Sequence, residues 1–256
     1  MKKREIFLST FSKDAEQMIA KYGIGTEINH TCISTMLDEE NIEHTVEEIR
    51  SFLDRTGTVG RAMLHGPYTE VFPQAIDPMM AAASKKRLDQ AAYCAMQAGV
   101  KRMVVHSGYI PFVYFPEWHV EKSVTFWKDF LSDKPADFQI LIENVLDDDP
   151  YMQLEIAEKA DDPRIRLCLD TGHANVASKP SYRIADWIRI LGPYLTHFHL
   201  HNNDGNNDQH RPLTDGIMDL EEILSLIDMY CPEDATLTVE SYECEDSIIW
   251  LKEKVS

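Results

Sequence analysis

The chain predicts an α/β fold of the (β/α)8-barrel type, built as a single domain over residues 1–256, on three observations. Eight short apolar runs alternate with amphipathic segments from one end to the other. The length, 256 residues, is that of one such barrel, for which about 250 is typical. Most of the runs also end in a residue able to bind a metal ion. Strands separated by helices imply a parallel sheet with right-handed crossovers, and eight of them close a barrel. A doubly wound open sheet is the alternative. No Gly-x-Gly-x-x-Gly follows the first run, so the usual dinucleotide signal is missing.

The strands are expected at Glu5–Leu8, Gly25–Ile28, Arg61–His65, Arg102–His106, Phe138–Glu143, Ile165–Asp170, Leu195–Leu200 and Thr236–Glu240. Near-continuous apolar runs of this length suit strands covered on both faces. Helical spacing occupies the segments between them: Asp14–Tyr22, Thr45–Thr56, Ala81–Ala98, Val120–Leu131, Tyr151–Ala160, Tyr182–Leu191, Leu220–Met229 and Ser247–Lys254. In the second of these, Val46, Ile49, Phe52 and Leu53 share one face. Gly23 and Gly99 stand where two helices should stop in a left-handed turn. The longest loops, Gly66–Met80, Ser107–His119 and Asn202–Asp219, all follow strands and belong on the catalytic face of a barrel. The second is aromatic, with Tyr109, Phe112, Tyr114, Phe115 and Trp118, which suits either a substrate lid or a loop packed on its neighbours.

With 43 acidic and 25 basic residues the formal charge is -18, which argues against a nucleic-acid surface, because Lys and Arg supply most of that affinity. A small substrate fits better. Five scattered cysteines without Cys-x-x-Cys spacing read as reduced thiols in or near the core. No signal-like stretch and no run of about 18 apolar residues is found, so a cytoplasmic protein without a membrane segment is expected. Trp127, Trp187 and Trp250 could line a homo-oligomer interface or belong to the core.

The chemistry lies at the strand ends. Six of the eight expected strands end in or lead into a His, Asp or Glu: His65, His106, Glu143, Asp170 with His173, His199 within His197-Phe-His199-Leu-His201, and Glu240. The loop after the seventh adds Asp208-Gln-His210-Arg211. A barrel brings its strand ends to one axis, and neutral imidazoles with carboxylates are the ligands of an N/O site for a first-row divalent metal. His199 is expected at the rim, His201 in support of it, and His197 deeper.

In these residues the chain resembles the xylose isomerase-like TIM-barrel superfamily, which includes endonuclease IV and many sugar-phosphate isomerases and epimerases. The resemblance runs in order from about Arg61 to Glu240. It implies nine metal ligands: His65, His106, Glu143, Asp170, His173, His199, Asp208, His210 and Glu240. One activity it implies is isomerisation or epimerisation of a sugar or sugar phosphate through a metal-stabilised enediolate. In that case Glu143 and Glu240 are the catalytic glutamates, and His173, Arg211, His201 and Asn144 bind substrate. The metal is zinc, or manganese, magnesium or cobalt, with one to three ions per chain. The other implied activity is phosphoester hydrolysis at a multinuclear zinc site, with Glu143 bridging two ions. Here the chain departs from the DNA-repair members: segments Asn29–Asn41 and 66–80 contain no Lys or Arg.

Overall fold

The computed structural model describes residues 1–255 and shows a closed parallel barrel in which each strand pairs with the next and β8 returns to β1. The strands are β1 (Ile6–Ser9), β2 (Gly25–Ile28), β3 (Ala62–His65), β4 (Arg102–His106), β5 (Gln139–Glu143), β6 (Ile165–Asp170), β7 (Leu195–Leu200) and β8 (Thr236–Val239). The expected strands are thus found within a residue at either end. Around them run α1 (Ala15–Tyr22), α2 (Ile42–Thr56), α3 (Pro78–Gln97), α4 (Pro116–Leu131), α5 (Pro150–Ala160), α6 (Thr171–Ala177), α7 (Ile184–Leu191), α8 (Leu220–Tyr230) and α9 (Glu245–Val255).

Three helices begin earlier than apolar spacing alone suggests, because proline opens them. Pro78 and Pro150 each follow an aspartate whose side chain accepts the hydrogen bond of the second helical N–H. Proline loses nothing at that first position, where its missing N–H would be unpaired anyway. The loops after β3 and β4 shorten accordingly to residues 66–77 and 107–115. One helix, α6, was not expected. Its seven residues, Thr-Gly-His-Ala-Asn-Val-Ala, are too few and too polar for a periodic signal. Gly23 and Gly99 take φ of 60° and 73°, as their helix-ending positions require.

The strands alternate sides with period two. Outward residues such as Leu64, Val105, Ile142, Leu169 and Phe198 join the main core beneath the helices. Inward residues build a separate apolar floor of Phe7, Met63, Val104, Leu141 and Cys168. A Cβ at Gly25 would lie 2.5 Å from the Phe7 ring, so glycine there makes room for that floor. Two residues farther along β3 to β6, on the same inward face, stand His65, His106, Glu143 and Asp170. The floor therefore sets the depth of the polar layer above it.

Trp127 and Trp187 are fully buried and belong to the core, and Trp250 packs partly buried against it. All five cysteines are buried free thiols. Among the described residues no helix is long and apolar enough to cross a membrane.

Candidate metal centre

At the C-terminal mouth the polar layer divides into three ligand groups, two of which share the carboxylate of Glu143. Glu143 Oε2 lies 3.3 Å from His65 Nε2 and 3.4 Å from His106 Nε2. Its Oε1 lies 3.1 Å from His199 Nδ1, which in turn is 3.3 Å from Glu240 Oε2 and 3.9 Å from Asp170 Oδ2. The third group gathers on Asp208, whose Oδ2 is 3.3 Å from His173 Nε2 and 3.1 Å from His210 Nε2. His65–His106–Glu143 and Glu143–Asp170–His199–Glu240 each have their donor atoms within 4.8 Å of one another, and so does the third group with His201 added.

The imidazoles are oriented by what their outer nitrogens touch. A carbonyl can only accept, so His65 Nδ1 donates to Gly66 O at 2.9 Å, His173 Nδ1 to Asn144 O at 2.9 Å and His210 Nδ1 to Glu240 O at 2.8 Å. Each bond leaves Nε2 facing a carboxylate, so that Nε2 is the nitrogen that would bind a metal once its proton is released, the arrangement that such outer partners impose on metal-binding histidines. His201 differs. Its buried Nδ1 has no partner, and its Nε2 lies 3.1 Å from Asp170 Oδ1. An unpaired buried N–H is rarer than an unpaired acceptor, so the proton sits on Nε2 and donates to Asp170. A Cβ at Gly172 would collide with the His201 ring, and His210 stacks on that ring at 3.9 Å. His201 is thus a buried clamp on Asp170.

Burial works against charge here, and the pairs overcome it. Glu143, although fully buried, is held well below the usual carboxylate range by His199 and His106. Asp170 falls to about 2 against the burial penalty, through His173 and His201. Burial opposes protonation of His65, His173 and His199, yet their anionic neighbours raise all three well above the imidazole range. His106 is pushed by burial down to about 3. Glu240 is raised, by burial and then by Glu143, Glu27 and Asp170 against the pull of His199. The donor set fits a divalent ion. Glu143 Oε2 and Asp170 Oδ2 are buried oxygens without a hydrogen-bond partner, each inside a ligand group. Buried carboxylates at this density need a cation in reach.

The remaining expected residues fall as follows. Asn144 is fully buried, and its amide is committed at both ends to the Asp170 backbone, at 3.0 and 2.8 Å. It therefore holds the end of β6 in place beside the ligand groups. Arg211 is held at the mouth by backbone pairing with Asn202, and Asp215 lies 3.9 Å from its guanidinium. His197 lies deeper, in the floor layer. In the loop after β4, Tyr109 and Tyr114 pack against His119, while Phe112 and Phe115 stay exposed.

Two residues of the site were not singled out from the sequence. Tyr68 stacks on His106 with ring centroids 4.8 Å apart, roofing the first ligand group. Glu27, fully buried on β2, contacts both His197 and His199. A lone acid in a four-residue run carries little signal by itself. The signal would have been its period-two phase, inward once the barrel is closed.

A family model described as "Xylose isomerase-like TIM barrel" matches residues 23–253. The probable endonuclease 4 of Mycobacterium leprae is 25% identical over 203 residues, 75% of this chain and 78% of that protein. A solved structure described as a D-tagatose 3-epimerase-like protein superposes with a TM-score of 0.75 at 21% identity, covering 98% of this chain and 95% of that one. The TTHB071 protein from Thermus thermophilus, soaked with ZnCl2, gives 0.76 at 23% identity, covering 98% and 96%. The chain belongs to the xylose isomerase-like TIM-barrel family.

Proposed function

We propose that the protein is a divalent-metal-dependent isomerase or epimerase of a small sugar or sugar phosphate. The observation that carries this is the group Glu143–Asp170–His199–Glu240, in which glutamates from β5 and from beyond β8 converge on one centre. The likeness to a D-tagatose 3-epimerase-like structure supports it at the level of the family. A metal bound by these four would polarise a substrate carbonyl and the neighbouring hydroxyl. The chain's own residues do the rest. Glu240, with its raised proton affinity, takes the proton from the carbon next to the carbonyl, and Glu143 is the second glutamate available for its return. Arg211 holds a phosphate or hydroxyl at the mouth, and Tyr68 excludes water above His106.

A second reading is phosphoester hydrolysis by a multinuclear site, and one observation favours it. The two oxygens of Glu143 face different ligand groups, as a bridging carboxylate requires. DNA is the poorer substrate for such a site, given the charge of -18 and no Lys or Arg in segments 29–41 and 66–80.

Metal content of protein purified without chelator, measured with solvent-deuterium exchange into a panel of ketoses and aldoses, divides the two. About one manganese, magnesium, cobalt or zinc per chain with exchange supports the isomerase. About three zinc ions with phosphoester turnover and no exchange overturns it.

A further inference from the structure

We infer that Glu27 is the positioning residue that fixes the tautomer of His199, so that this histidine binds metal through Nδ1. The inference rests on the proposed metal centre and deepens it. His199 has carboxylates on both nitrogens: Nε2 is 2.9 Å from Glu27 Oε1, and Nδ1 faces Glu143 and Glu240 at 3.1 and 3.3 Å. The ring alone does not decide which nitrogen keeps its proton when a metal arrives.

The hydrogen bonds below it do. Arg102, at the start of β4, cannot accept, so its Nη2 donates to Thr236 Oγ1 at 2.8 Å. Thr236 Oγ1 has two acceptors in reach, Thr196 O at 3.4 Å and His197 Nδ1 at 2.7 Å, and the shorter contact takes its proton. That leaves the His197 proton on Nε2, shared between Thr238 Oγ1 at 2.9 Å and Glu27 Oε2 at 3.1 Å. Thr238 Oγ1 donates to the same oxygen at 2.6 Å. Every link points its proton toward Glu27, which is acceptor-only when ionised. Two donors already converge on Oε2, as suits a carboxylate in its charged form. The one vacant direction on Glu27 is Oε1, toward His199 Nε2. The proton stays there, and the Nδ1 lone pair is turned to the metal.

This relay of hydrogen bonds runs through the barrel interior from the strand starts to the ligand layer. The other ligand histidines with an assigned outer partner, His65, His173 and His210, use backbone carbonyls. His199 uses a carboxylate, the stronger acceptor, which raises the basicity of the ligating nitrogen.

The test uses the zinc-loaded protein and two readouts. Two-bond proton–nitrogen correlation spectra of the histidine rings report which His199 nitrogen carries hydrogen; Nε2–H is expected. Zinc affinity by chelator competition should weaken about 10- to 100-fold in Glu27→Gln, with near-UV circular dichroism unchanged. A proton on Nδ1 overturns the inference even if the variant fails to fold, because it is read on the unaltered chain. So does a folded Glu27→Gln protein with unchanged affinity. An unaltered chain that takes up no zinc, manganese or cobalt overturns the metal centre itself, and this inference with it.

Discussion

Replacing Asp147 by asparagine should stabilise the protein at neutral pH and leave it unchanged in acid. Asp147 follows β5 at the mouth and is fully buried. Its Oδ2 accepts from Ser107 Oγ at 2.6 Å and from Val145 N at 3.1 Å, and its Oδ1 lies 3.5 Å from Gln153 Nε2. Among the described residues no cation pairs with it. Burial therefore dominates the three hydrogen bonds and raises its pKa from 3.8 to about 6. A folded pKa above the unfolded one means that the native state binds the proton more tightly. Stability is then full below about pH 4 and declines as pH rises toward 6. A rise of about two pH units at ~1.4 kcal/mol each makes the loss about 3 kcal/mol on the plateau above pH 6. Asparagine removes the charge and keeps the shape. Its carbonyl can accept from Ser107 and Val145, and its amide can donate to Gln153 Oε1, which has no partner in the native protein. Urea unfolding of both proteins between pH 4 and 8 measures the difference directly. It should open from near zero to about 3 kcal/mol in favour of the variant, with the slope between pH 4 and 6. A difference independent of pH over that range would refute the reasoning.

Three further outcomes follow from the mouth. Glu240→Gln, assayed with divalent ion in excess so that the weakened site stays filled, should abolish deuterium exchange into a sugar substrate, and persistent exchange removes Glu240 from the role of base. His65→Ala and His106→Ala should each lower the metal content by about one ion per chain if the first ligand group is filled; an unchanged count in both shows that it is not. Gly172→Ala places a methyl group against His201 and should cost about 1–3 kcal/mol in thermal unfolding. A variant as stable as the native chain would show that the ring is free to leave Asp170.

The strands were legible because each is a short apolar run closed by a polar residue, and that pattern survives any choice of loops. The six polar strand ends that converge at the mouth were legible for the same reason. Helix starts were less so, since Pro78, Pro116 and Pro150 set them locally, ahead of the first apolar repeat. Residue roles depended on information that the pattern does not hold. Asn144 and His201 look like substrate-facing polar groups in sequence, and spacing does not show the hydrogen bonds that both make to Asp170. Glu27 could not be paired with His199 from spacing, because 172 positions separate them in the chain. Only closure of the sheet puts β2 opposite β7.

The two-faced placement of Glu143 has a consequence for how such a barrel can change its chemistry. Because one oxygen serves His65 and His106 and the other serves His199, the ligand groups are separable units joined through a single carboxylate. Substitutions at β3 and β4 could empty the first group while leaving the four ligands of the second in place. The same scaffold would then pass between several ions and one without a new loop, and Glu143 would pass from a carboxylate shared by two groups to a member of one.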